Sequence, residues 1–384
     1  MRHVSLCLTL IWFGVLGRFG NAEDVPRSSW AYSAELLQPF WDSEVMHGES
    51  VLFIKEGADN DAHASVIYPI EKVLSVKNST GEITYEEGRD YKWTKDSREL
   101  LLPKDSRIVS STAADLHRPA NSQQFHLPHR DGTGDIFFGG RLEYQDLQAC
   151  VTYAHQRESW PDIVPTLDEV GLGKTITKLC DKKPLRIVVI GDSISVGCNA
   201  SGWAGGAPFQ PAYPELVRHN LEKHYGEEIS LTNLSVSGMS TDWAFTMIDK
   251  IVEPHPDLVI IAFGMNDASG RPAKEYQAKT KSVTDQVRAK LPEAEYILVA
   301  TMVGNRDWIS LKQELFPEYS ESLKQLRAPG IAVADVTSIW AECLKHKQHY
   351  DLTGNGVNHP NDFGHRVYAQ VISALLIPGA KSHD

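Results

Sequence analysis

Apolar positions fall into two regimes along the chain, and the change comes near residue 180. Before it they occur in short runs broken by Gly, Asp, Asn and Pro. Ser50–Lys55, Ile70–Val76, Ile83–Tyr85, Glu99–Leu102, Asp135–Phe138 and Ala149–Tyr153 each read as a strand, with Asn78-Ser-Thr-Gly81 as a turn between two of them. Such a series predicts an all-β sandwich or jelly roll over residues 23–160. Residues 161–184 read as a connector with one short helix. From Leu185 the pattern alternates. Leu185–Ile190 has no polar alternation after Arg186, as expected of a strand buried on both faces. Further strands follow at Ile229–Leu234, Leu258–Ala262, Tyr296–Ala300 and Ile331–Val336. Helical spacing appears at Tyr213–His224, Thr241–Ile251, Glu275–Leu291, Leu311–Leu326 and Gly364–Leu376. Strands alternating with helices predict an α/β unit over residues 185–384, with a parallel sheet covered on both faces.

One further apolar run lies at the start. Val4 to Leu16 follows a short basic segment, and Gly20-Asn21-Ala22 offers small residues for cleavage before Glu23. Residues 1–22 read as a secretory signal peptide, with an uncleaved anchor as the alternative. The expected location is therefore secreted or periplasmic. Composition adds an exclusion. Lys and Arg number 38 against 50 Asp and Glu. Loss of Arg2 and Arg18 with the leader leaves 36 against 50, a net charge of −14. An acidic chain with no basic stripe is a poor partner for nucleic acid or an anionic membrane, since phosphate contacts need Lys and Arg. Cys150, Cys180, Cys198 and Cys343 remain after the leader, an even number that allows two disulfides or four free thiols.

Candidate chemistry lies in four short blocks of the α/β unit. Gly191-Asp192-Ser193 directly follows the first strand, where open α/β sheets bind ligands. The sequence around Ser193 is not the Gly-x-Ser-x-Gly of a nucleophile elbow. Ser237-Gly238-Met239 follows the second strand, and Gly264-Met-Asn266-Asp267 the third. Gly238 gives an unhindered N–H, and Asn266 can aim an amide N–H at developing negative charge. Asp267 reads as a cap or a loop holder. His359, in Asn358-His-Pro-Asn-Asp362, can act as a base at neutral pH.

In this order the blocks resemble the SGNH/GDSL hydrolase superfamily over about Leu185 to Leu376. The resemblance implies a three-layer, flavodoxin-like fold and ester hydrolysis without a metal or other cofactor. It assigns Ser193 as nucleophile and His359 as base, with the oxyanion held by Ser193, Gly238 and Asn266. One position departs from the pattern. The family usually carries an Asp three residues before the histidine, and here that residue is Gly356. The orienter of His359 is left among Asp362, Asp351, Asn355 and a backbone carbonyl, with Asp362 the acid to test first. His365 is an alternative base with a structural role favoured. His346 and His349 share a spacing that metal ligands could use, but no third ligand accompanies them.

The loop after the nucleophile, Cys198 to Tyr213, holds Trp203, Phe209 and Tyr213, candidates for lining an acyl or sugar site. A β-rich unit joined to an SGNH unit is similar to carbohydrate esterase family two, some of whose members use a Ser–His dyad. The expected substrate is a small ester or an acetylated carbohydrate. Two alternatives are a lipid or acyl-thioester hydrolase with the same machinery, and a carbohydrate-binding or surface protein with a degenerate site. Asn78, Asn199 and Asn233 match glycosylation acceptors.

Overall fold

The structure is a computed structural model, and it describes residues 30–57, 61–156, 160–161 and 163–379. The leader expected over residues 1–22 lies outside the described residues. Ten strands precede residue 155: β1 (Val45–Lys55), β2 (Ala62–Ser65), β3 (Lys72–Asn78), β4 (Thr84–Tyr85), β5 (Lys92–Trp93), β6 (Glu99–Leu102), β7 (Ser110–Thr112), β8 (His117–Arg118), β9 (Asp135–Ile136) and β10 (Gln148–Ala154). Eight of them join in the order β4-β3-β10-β1-β2-β6-β5, with β7 beside β1. Pairing is antiparallel except for β1 with β7. Strand β1 is long enough to serve both halves. Its first part pairs β10, across a register shift between Met46 and Glu49, and its end pairs β2 and β7. This is an antiparallel, strand-rich unit. The Asn78–Gly81 turn forms as expected, with the Gly81 N–H donating to Asn78 O and the Asn78 side chain accepting from Ile83 N. The short strands β2, β5, β7 and β8 have too few residues to show a period in the sequence.

The second sheet is parallel: β11 (Leu185–Gly191), β12 (Ile229–Asn233), β13 (Leu258–Ala262), β14 (Glu295–Ala300) and β15 (Ile331–Asp335), in the order β12-β11-β13-β14-β15. Val188, Val189, Ile190, Val259, Ile260, Ile297 and Leu298 are all essentially inaccessible, which explains the unbroken apolar runs. The strand order reverses between β11 and β13, so the crevice at their carboxyl ends is where such sheets bind ligands.

The covering helices depart from the expected spans in instructive ways. Tyr213–Tyr225 and Asp362–Ala374 form nearly as read, the second capped by the Asn361 side chain accepting from Gly364 N. Thr241–Ile251 is instead broken into Thr241–Ala244, a 3₁₀ turn Phe245–Met247 and Ile248–Val252. The helix expected over Leu311–Leu326 is confined to Leu315–Lys324. A helix at Val336–Cys343, capped by Asp335, directly follows β15 and was hidden by the apolar run that ends that strand. The connector carries the helix Glu169–Cys180. Among the described residues no helix is long and apolar enough to cross a membrane. The four cysteines are unpaired thiols, with Cys198 and Cys343 buried, so the disulfide alternative gives way to free thiols.

The two units meet along a buried polar seam. Lys347, just past the Val336–Cys343 helix, reaches Glu49 of β1 at 2.9 Å, with neither side chain exposed. Its ammonium also donates to Ser50 O and Ser65 O. Asn361 donates to Ser50 Oγ and Gln148 Oε1, and Gln148 donates to Tyr350 O and Thr353 O.

Candidate active site

Ser193 is the first residue of a one-turn helix, Ser193–Val196, at the end of β11. Asp192 caps it by accepting from Ile194 N, and burial pushes the Asp192 carboxyl up to about 7. The turn fixes the Ser193 hydroxyl at the switch point of the sheet. His359 lies in the loop before the last helix, and its Nε2 stands 2.8 Å from Ser193 Oγ. The loop is held from within. Asn355 Oδ1 accepts from the backbone N–H of Val357, Asn358 and His359, and its amide donates to Asn358 Oδ1.

The other ring nitrogen of His359, Nδ1, stands 2.8 Å from Asn199 Oδ1. Sequence reading did not bring Asn199 to this nitrogen. Asn199 follows the nucleophile by one loop and was visible only as a glycosylation acceptor. It is 1% exposed and has φ +66°, a left-handed conformation that Asn tolerates better than most residues. A side chain so enclosed has no room for a glycan.

The residues put forward from the sequence to orient His359 sit elsewhere. Asp362 Oδ1 accepts from Ser201 N at 2.8 Å, because the first residue of the last helix faces the loop after the nucleophile and not His359. Burial raises the Asp362 carboxyl. Asp351 accepts from Leu52 N and Gln348 N, which places it in the seam between the units. Asn355 organises the loop, as described, and does not meet Nδ1. His365 is fully buried, 3.4 Å from Tyr213 N, and burial pushes it down to about 3. It is a core residue, as favoured. His349 is pushed down to about 3 as well, again by burial first.

The oxyanion candidates converge from three strand ends. Among the described residues neither the Ser193 nor the Gly238 amide N–H has a protein acceptor. Gly238 has φ +80° with open space around the site of a Cβ, so backbone conformation and not crowding calls for glycine there. Asn266 donates one amide hydrogen to Met239 O at 2.8 Å, which holds block three against block two and leaves the second hydrogen free. Asp267 is the loop holder. It is buried, accepts from Thr241 N and Oγ1, and pairs with Arg271 at 2.6 Å.

Of the three aromatic residues in the loop after the nucleophile, Trp203 is exposed, with the Arg141 guanidinium 5.7 Å from its ring centre. Phe209 is half-buried. Tyr213 is fully buried, its hydroxyl 2.7 Å from Ser195 Oγ and its ring stacked on Tyr368. Tyr213 is thus a core residue, and the expectation that it binds substrate is corrected. It starts a helix whose inner face packs on the last helix.

Burial pushes His359 down to about 4. A neutral imidazole with Nδ1 protonated and Nε2 facing a hydroxyl can take a proton, and the hydroxyl can then attack an electrophilic carbon. Residues 189–367 match the model of the GDSL-like Lipase/Acylhydrolase family. No curated protein matches the chain. Several solved structures are similar in fold. A lipase from a goat rumen metagenome is 19% identical, with a TM-score of 0.41 over 50% of this chain and 97% of its own. A two-domain esterase active on acetylated mannans, co-crystallised with mannopentaose, is 20% identical, with a TM-score of 0.44 over 55% of this chain and 54% of its own. An acetylxylan esterase from Geobacillus stearothermophilus is 19% identical, with a TM-score of 0.42 over 52% and 97%.

Proposed function

We propose that the chain is an exported serine esterase that removes short acyl groups, acetyl above all, from carbohydrate. The observation that carries the reading is the relay Ser193 Oγ–His359–Asn199, with both contacts at 2.8 Å. His359 Nε2 takes the Ser193 proton as Oγ attacks the ester carbonyl. The negative charge that develops on the carbonyl oxygen faces the N–H groups of Ser193 and Gly238 and the free hydrogen of Asn266. His359 then gives its proton to the leaving alkoxide, and the alcohol departs. Water, deprotonated by the same ring, attacks the acyl-serine, which returns Ser193 and releases the acid. Asn199 holds the tautomer that every step needs.

A relay with a partner on each ring nitrogen speaks against a degenerate, purely binding site. The carbohydrate part of the reading rests on the exposed Trp203 ring beside the nucleophile loop, the acidic charge and the strand-rich unit, taken as a sandwich folded about β1. Export rests on the pattern of residues 1–22. The test is acetate release from a panel of acetylated polysaccharides, with p-nitrophenyl acetate as a simple substrate. The wild type is expected to act on both, and Ser193→Ala to lose activity with its fold intact. Wild-type turnover in Ser193→Ala would overturn the mechanism. Faster cleavage of dodecanoyl than of acetyl esters would favour a lipid substrate.

A further inference from the structure

We propose that residues 139–145 of the strand-rich unit are positioning residues for the catalytic histidine and act through Asn199. The inference rests on the Ser193–His359 reading above and adds a role for the first half of the chain.

The argument begins with the Asn199 amide. Its Nδ2 donates to three backbone carbonyls, Gly139 O at 3.4 Å, Arg141 O at 3.2 Å and Gly354 O at 3.1 Å. Two of the three belong to the strand-rich unit. A carbonyl can only accept, so this ring of acceptors turns the NH₂ group inward and leaves Oδ1 facing His359. Oδ1 in turn accepts only, so Nδ1 must carry the ring proton and Nε2 must be the free base toward Ser193. The tautomer of the base is therefore set by way of one amide held by three backbone carbonyls, two of them in the other unit. Gln145 adds a second hold by donating from Nε2 to Asn199 O at 3.2 Å. A backbone route runs in parallel: Gly139 N donates to Asn355 O, and Asn355 Oδ1 accepts from His359 N.

Tyr144 explains why no acid stands at position 356. A Cβ on Gly356 would lie 2.1 Å from Tyr144 Oη and 2.3 Å from Cζ. The phenol is buried and its hydroxyl donates to Phe137 O. While this segment is docked, the place from which a carboxylate could reach His359 is filled by a ring. The same segment that removes the acid supplies the seat of its replacement.

The test follows from the polarity of that seat. Asn199→Asp places an anion where the usual chemistry of such relays would welcome one. Here it sets a carboxylate oxygen against three carbonyls. We expect kcat on p-nitrophenyl acetate to fall about 10–100-fold with KM little changed. The new charge beside the imidazole should also move the acid limb of kcat/KM upward, a shift that a merely structural lesion would not produce. The groups that meet the His359 ring are Ser193 and Asn199, and His365 is the titratable neighbour that senses its charge. Gln145→Leu removes the hold on Asn199 O without adding a charge and leaves the three carbonyls in place, and it serves if Asn199→Asp fails to fold. It should lower kcat about tenfold or more at constant KM, with a near wild-type melting temperature. Wild-type kcat in folded Asn199→Asp, or in folded Gln145→Leu, would overturn the proposal. Activity surviving in Ser193→Ala would instead overturn the reading on which it rests.

Discussion

His359 has no carboxylate behind it, and this shapes its titration. Burial alone lowers its ionisation to about 4 from the ordinary 6.5. The active form is the neutral ring, so activity is present above the pKa and is lost as pH falls through it. We expect kcat/KM to hold down to about pH 5 and to halve near 4. A pH–rate profile on p-nitrophenyl acetate checks this, and an acid limb near the ordinary value would show that the ring is solvated or paired with an anion. An amide gives less to an imidazolium than a carboxylate does, yet it fixes the tautomer as firmly. In serine proteases replacing the triad Asp by Asn costs about 10⁴ in turnover because the tautomer is wrong. Here the surrounding carbonyls dictate the right one.

At the scale of elements, the site is made of strand ends and one loop. Ser193, Gly238 and Asn266 follow β11, β12 and β13 in turn, so neighbouring parallel strands set their spacing. The loop 353–360 brings His359 over them. Its bridge between Thr353 and Pro360 and the Asn355 side chain close it into a rigid unit. Gly356 is where that loop meets Tyr144. At φ +76° it is strained for any other residue, and a methyl would overlap the phenol. We expect Gly356→Ala to lose about 2–5 kcal/mol of stability from strain and overpacking together, read by chemical denaturation. Unchanged stability would mean that the loop and the Tyr144 segment are not held together as described.

At the scale of the molecule, the seam between the units is polar and closed to water. Lys347 and Glu49 are both fully buried and 2.9 Å apart. Such a pair adds little over an apolar contact, but removing one partner strands the other charge. Lys347→Ala should therefore cost about 3–5 kcal/mol, measured by thermal or urea unfolding. A loss below 1 kcal/mol would show that Glu49 is reached by water. Since the seam also carries Asn361, the cap of the helix after His359, weakening it should lower activity along with stability.

The sequence by itself determined much of this. The unbroken apolar runs of β11 and β13 to β15 dictated a sheet buried on both faces, because no alternating pattern could satisfy two covered sides. Ser193, Gly238, Asn266 and His359 could be put forward because each sits in a short local block next to a strand or helix that the period reveals. Trp203, exposed on the nucleophile loop, could be named for the same reason. What the sequence could not show was contact between distant residues. Asn199 and His359 are 160 positions apart. Neither the turn that aims the amide nor the three carbonyls that polarise it leaves a mark on side-chain pattern, since backbone groups are common to every residue. Asp362, near in sequence, was the reasonable choice and faces the other way. The tertiary structure alone brought an amide against the ring of His359, and a segment of the strand-rich unit against that amide.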